Sequence, residues 1–381
     1  MDPTRRVIGT ASGWIAAAFV LAGCGAREQR MAPPPAPRDG VVQPPGAEQP
    51  GVAPRIERTW ARGEAWRDLV VDARSGDIYG IRRINWRPAD RSWTARICRI
   101  SRQGVIEHDI TVAGRESSPT KLLLLSGRAD EQPAFAVFKT PDEQVYAFDS
   151  NGALLWARVL SSSVSGAQAI DLDSDGIDEL LVASGKGVLA FDRTGVERWR
   201  SREGKFIGGI VAIPGRPGEK PHVFVDSGGL HVLDPITGDV VRSLRERRTR
   251  PQVGLFWPSS RIAGPQTYEV VSADADPPVR VQALNADGTV AWMVADRDPT
   301  LRGERVSEVA CSMDGRWVAV ALKYGRVLLI DAQQRTRAAL VVANASVYPS
   351  VAWSVTADGT PLLLVGSARG IDAFTVQPPA E

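Results

Sequence analysis

The sequence predicts an all-β fold, a seven-bladed β-propeller of four-stranded blades, and three observations predict it. Apolar runs alternating with period two end in a polar marker residue and a short turn, and the markers recur at Ser101, Asp149, Asp192, Asp234, Asn285, Asp331 and Thr375. Their spacings are 48, 43, 42, 51, 46 and 44 residues, the period of a propeller blade. A second marker shares the period: Asp-Gly hairpin turns stand at Asp175-Gly176, Asp314-Gly315 and Asp358-Gly359, separated by 139 and 44 residues. Composition agrees, since 36 Gly, 27 Pro and 11 Trp imply many turns and many aromatic-bearing strands, and 43% apolar residues suffice for a large core.

Taken along the chain, the first element is an export signal. Arg5 and Arg6 precede an apolar run, strongest over Trp14–Val20, which is too short to span a bilayer. It ends in Leu21-Ala22-Gly23-Cys24, a match to the lipobox of bacterial lipoproteins. That resemblance implies cleavage of residues 1–23, acylation of Cys24 and a membrane anchor. Gly25 in place of Asp points to the outer membrane, facing the periplasm or the cell surface. Residues 24–54 crowd Pro33, Pro34, Pro35, Pro37, Pro44, Pro45, Pro50 and Pro54 into a stretch poor in apolar side chains. Such a stretch is expected to be a disordered, extended linker.

The propeller is expected over residues 55–376, with a short disordered tail at 377–381. The last blade shows three strands, near residues 347–354, 362–366 and 370–375, before Pro378 and Pro379 end the pattern. Ile56–Trp60 reads as its missing outer strand, which closes the ring and removes an open edge. The forms Phe148-Asp149-x-x-Gly152 with Trp156 and Phe191-Asp192-x-x-Gly195 with Trp199 resemble the quinoprotein-type (PQQ-like) repeat. Ser312–Val320 is similar to the inner-strand segment of WD-type repeats. These resemblances specify a fold rather than a function.

Chemistry is sparse. Net charge is +2, and +1 once residues 1–23 with Asp2, Arg5 and Arg6 are removed, which argues against nucleic acid as a partner. His108, His222 and His231 read as structural or solvated residues of unrelated blades, with His222 and His231 flanking one hairpin. Cys98 and Cys311 read as small buried residues rather than a disulfide. The arginines 242, 245, 247, 248 and 250 read as a solvated loop between blades.

The one candidate site is Asp171-Leu172-Asp173-Ser174-Asp175-Gly176-Ile177-Asp178-Glu179. Carboxylates at positions 1, 3, 5 and 9 around a Gly turn suit Ca²⁺, which takes six to eight oxygens. The spacing resembles the calcium loop of FG-GAP (integrin-type) repeats. It implies Asp171, Asp173, Asp175, Glu179 and the Ile177 carbonyl as ligands of a structural Ca²⁺. The other two Asp-Gly turns serve as internal controls: Ala310 and Ser354 stand where Asp171 does, Ser312 and Thr356 where Asp173 does, Val318 and Leu362 where Glu179 does.

Two classes of function follow. One is a non-catalytic binding or scaffold module in envelope or outer-membrane assembly, a monomeric domain with a protein or glycan partner. It rests on a resemblance to the lipoprotein propeller of the outer-membrane assembly machine. The alternative is a quinoprotein-like or polysaccharide-active propeller enzyme.

Overall fold

The computed structural model describes Val42–Gln43 and residues 54–378, apart from 73–74, 117, 129–130, 140–141, 202–208, 214–219, 228, 247–269, 275–278, 285–289, 297, 299–300, 302–305, 313, 333–335 and 343–348. The signal segment, Cys24 and most of the linker lie outside the described residues. Val42–Gln43 forms a short strand β1, and β2 follows at Arg55–Arg62. Blade 1 comprises β3 (Trp66–Val71), β4 (Ile78–Arg87), β5 (Ser92–Ile100) and β6 (Ile106–Arg115). Blade 2 comprises β7 (Lys121–Leu125), β8 (Ala134–Phe138), β9 (Gln144–Phe148) and β10 (Leu154–Val159). Blade 3 is β11 (Val164–Ile170), β12 (Glu179–Ser184), β13 (Gly187–Phe191) and β14 (Glu197–Arg200). Blade 4 is β15 (Gly209–Ile213), β16 (His222–Asp226), β17 (Gly229–Leu233) and β18 (Val240–Glu246).

The fifth sheet in chain order has three strands among the described residues, β19 (Val270–Asp274), β20 (Val279–Leu284) and β21 (Val290–Asp296), and the blades after it are numbered by their place in that order. Blade 6 is β22 (Val306–Cys311), β23 (Trp317–Leu322), β24 (Arg326–Asp331) and β25 (Thr336–Val342), with β1 added antiparallel to β25 as a fifth strand. Blade 7 is β26 (Ser350–Val355), β27 (Pro361–Ser367) and β28 (Gly370–Gln377), completed by β2. The closing strand is therefore where the sequence places it, with Ile56 opposite Val376 and Trp60 opposite Ala373.

The expectation of seven four-stranded blades is corrected. Six sheets have the four strands of a blade, and the sheet Val270–Asp296 has three among the described residues. The reason lies in the marker, which sits at the turn between third and outer strands. It reports the two strands flanking that turn and is blind to the innermost one.

The turns explain the marker chemistry. Asp149 Oδ1 accepts hydrogen bonds from the backbone of Asn151 and Ala153, and Asp192 Oδ1 from Thr194 and Val196. Ser101 Oγ does the same for Gln103 and Val105. Asp234 Oδ1 does so for Ile236 and Thr237, and a short acceptor at this position organises the turn.

Packing follows strand position. Central strands such as β8, β12, β13 and β23 are buried at every residue, because both faces meet a neighbouring blade. Outer strands are mostly exposed, and in β10 and β14 the single buried residue is the Trp of the repeat, Trp156 or Trp199. Apolar clusters fill the spaces between successive sheets. Trp93 and Ile97 meet Phe135 and Val137 between blades 1 and 2, and Leu69 and Ile78 meet Leu364 and Ile371 between blades 1 and 7. Each fully buried aliphatic or Phe side chain contributes about 1.5–3 kcal/mol relative to exposure.

Candidate acidic site in the third blade

The loop Asp171–Glu179 joins the two inner strands of blade 3. Gly176 has φ +87°, and Asp175 Oδ1 accepts the backbone N–H of Ile177 at 2.8 Å. The same bond recurs in the control turns, Asp314 Oδ1 to Arg316 N–H at 3.1 Å and Asp358 Oδ1 to Thr360 N–H at 3.2 Å. Asp175 is thus a turn residue in all three copies.

Three of the sequence-derived ligands converge. Asp171, Asp173 and Glu179 each present a carboxylate oxygen within 4.8 Å of the others, and Asp175 is outside that trio. Backbone N–H groups already reach the trio: Asp175 and Gly176 donate to the two oxygens of Asp171 at 3.1 and 2.9 Å, and Leu172 donates to Glu179 Oε2 at 2.8 Å. Ile177 lies in the loop, and its N–H is spent on Asp175. Asp178 faces the other way, accepting from Ser126 N–H at 2.8 Å and so tying blade 3 to blade 2.

Sequence reasoning missed Arg198. From β14 its Nη1 lies 2.7 Å from Asp173 Oδ2 and 2.6 Å from Glu179 Oε1. The guanidinium offsets the repulsion that the clustered carboxylates would otherwise suffer. Its approach depends on a bulge between Ala190 and Phe191 in the pairing of β13 with β14, a feature no local pattern announces. Burial is the largest influence on Glu179, pushing its carboxyl up to about 7, with Asp173 and Asp175 adding to the rise and Arg198 opposing it. The donor set, three carboxylates around a Gly turn, fits a hard divalent cation. Asp171, Asp173 and Glu179 would hold it, in competition with Arg198.

A second charged cluster lies at the centre of the ring. Lys121 Nζ is 3.3 Å from Asp68 Oδ1 and 3.4 Å from Glu308 Oε1. These residues belong to the innermost strands of blades 2, 1 and 6. Blades 2 and 6 are not neighbours, so their side chains meet across the axis. Asp68 also accepts from Leu122 N–H at 2.8 Å and Glu308 from Val351 N–H at 3.1 Å, each tying its strand to the next blade. Burial pushes the Glu308 carboxyl up to about 7 against the opposing pull of Lys121.

Residues 123–254 match the family model PQQ_2, described as outer membrane protein assembly factor BamB, which spans about a third of the chain. The chain carries a β-propeller of PQQ-like and WD-like repeats. No curated protein matches it. Among solved structures, BBS1N, crystallised in complex with ARL6DN, superposes with a TM-score of 0.60 at 13% identity, covering 87% of this chain and 98% of that one. The β-propeller domain of Myceliophteria thermophila Cps50 (Swd1) also gives 0.60, at 14% identity, covering 85% and 100%. At such identity these likenesses speak to the fold alone.

Cys98 and Cys311 are buried and neither is in a disulfide. His231 Nδ1 lies 2.9 Å from Ser243 Oγ, and His108 is exposed. Of the arginine cluster, Arg242 and Arg245 belong to β18, while residues 247, 248 and 250 lie outside the described residues.

Proposed function

We propose that this chain is a lipid-anchored, extracytoplasmic propeller that serves as a non-catalytic protein-binding module in the assembly of the cell envelope, at the outer membrane. The observation that carries this reading is the match of residues 123–254 to the BamB family model, joined to the lipobox Leu21–Cys24. A scaffold of this kind presents blade rims and outer strands to partners, and its centre is free to be packed. The charged inner-strand side chains Asp68, Lys121 and Glu308 are spent on one another and on neighbouring backbone, which supports binding over catalysis. The partner class is protein, and the unit that binds is one propeller.

The acidic loop is, in this reading, a structural Ca²⁺ site that stiffens the third blade. Asp171, Asp173 and Glu179 supply the oxygens, and Arg198 yields Asp173 and Glu179 when the ion enters.

The reading is tested by cross-linking in intact cells, isolation of the anchored chain from membrane fractions and identification of the joined proteins. Specific cross-links to envelope-assembly components are expected from the outer-membrane fraction. A chain recovered only from the soluble cytoplasmic fraction would overturn it.

A further inference from the structure

Blades 1 and 2 part at their outer ends, leaving a groove of about 640 Å³. Trp93 and Gly114 of blade 1 and Tyr146, Leu154 and Val159 of blade 2 line it. A side chain at Gly114 would meet the Trp93 ring at 2.5 Å, so the ring fills that place and the wall stays flat. Nine large apolar side chains are exposed among the described residues; Leu154 and Val159 lie within this groove, and Trp86 and Leu155 are chain neighbours of its lining residues Arg87 and Leu154. The other five are Val105 in the outer turn of blade 1 and Val196, Ile236, Val241 and Met293 farther along the chain. Clustered exposed apolar surface of this kind marks an interaction site.

Blade 1 is also unlike its neighbours. Opposite the third strand, where blades 2, 3 and 7 carry Trp156, Trp199 and Trp60, blade 1 carries His108. No indole stands at that position in blade 1, and the one that packs across to blade 2 is Trp93, with its ring centre 5.3 Å from that of Tyr146.

The electrostatics select the occupant. Arg87 and Arg115 line the groove and make no ion pair among the described residues. The one acidic side chain in the lining, Glu116, is paired with Arg91 at 2.5 Å. Arg158 lines the groove as well and donates to the Gly195 and Ala157 carbonyls, so three guanidinium groups stand beside apolar walls with one carboxylate among them, and they call for a ligand that alternates carboxylates with apolar side chains. The strand edge sets its conformation. β10 is the outer strand of its sheet, and the chain already adds a strand to such an edge, where Val42–Gln43 pairs with β25. An extended ligand can bond to a free strand edge and place alternate side chains on the groove.

From these observations we infer that the groove between blades 1 and 2 docks an extended segment of a partner protein, rich in alternating acidic and apolar residues. The inference rests on the protein-binding reading above and gives it a surface. The test uses a display library of random twelve-residue peptides selected on the full mature chain in detergent. Enriched sequences should alternate Asp or Glu with apolar residues. By fluorescence anisotropy, one such peptide should bind at least tenfold more weakly to the Leu154→Asp/Val159→Asp variant and to Arg87→Glu/Arg115→Glu, both with unchanged circular dichroism. Enrichment of basic peptides, no enrichment, or binding indifferent to both variants would overturn the inference. So would a wild-type dimer in sedimentation that Val159→Asp dissolves, because the occupant would then be a second copy. If the membrane cross-links persist in these variants, the groove falls while the scaffold reading stands.

Discussion

The indole of Trp60 lies on Gly104. Trp60 belongs to the strand that closes blade 7 and Gly104 to the outer turn of blade 1. The indole N–H donates to the Arg102 carbonyl at 2.8 Å, and a side chain at Gly104 would fall 2.6 Å from the ring. The same latch recurs as Trp156 on Gly195, with its N–H to Arg193 at 2.9 Å, and as Trp199 on Gly238, with its N–H to Pro235 at 2.8 Å. In two of them an arginine two residues on reinforces the hold: Arg62 Nη1 to the Gly104 carbonyl at 2.6 Å and Arg158 Nε to that of Gly195 at 3.0 Å. The glycine serves twice, by adopting positive φ and by leaving room for the ring.

Trp60→Ala should therefore destabilise the ring by about 3 kcal/mol, the low end for loss of a Trp side chain because this one is half-buried. Gly104→Ala should act through the same contact. Beginning the chain at residue 64 should do more, since it leaves β28 as an open edge. Thermal unfolding followed by circular dichroism checks all three, and an unchanged melting curve for the shortened chain would mean that β2 does not close the ring.

Acylation should depend on one thiol. Cells grown with an azido-palmitate should label the wild type and leave Cys24→Ser unlabelled. Equal labelling of the two would remove the anchor.

Calcium at millimolar concentration should raise the melting temperature of the metal-stripped chain, because a ligand that binds only the folded state stabilises it by mass action. Asp173→Ala should abolish the rise. Arg198→Gln should enlarge it, since it frees two carboxylates for the ion, and this distinguishes a metal site from a loop already satisfied by Arg198. Calorimetry that detects no Ca²⁺ binding to either the wild type or Arg198→Gln would leave the loop as a turn with an internal ion pair.

Glu308 should make stability depend on pH near neutrality. Its carboxyl is raised by burial from 4.5 to about 7. A raised folded value contributes stability that is full below the unfolded value and is lost as pH climbs through the folded one. Relative to Glu308→Gln, the wild type should lose melting temperature between pH 5 and pH 8. A difference between the two proteins that stays constant over that range would place Glu308 in a more solvated setting.

What the sequence determined by itself is local or periodic. Marker turns at Ser101, Asp149, Asp192 and Asp234 and the Asp-Gly hairpins are written in a few adjacent residues, since each is a backbone conformation selected by its own side chains. The period then places the sheets, and the leftover strand Ile56–Trp60 finds the one blade that lacks an edge. The trio Asp171, Asp173 and Glu179 was legible for the same reason, being carried by one turn. Tertiary structure alone decided what meets these elements from afar. Arg198 reaches the trio through a bulge in the outer strand, and Asp178, acidic like its neighbours, serves blade 2 instead. Lys121 and Glu308, 187 residues apart, are paired by closure of the ring. The groove between blades 1 and 2 belongs to the same class. Such contacts depend on distances across the ring, and a repeat that specifies each blade by its own turns carries no term for them.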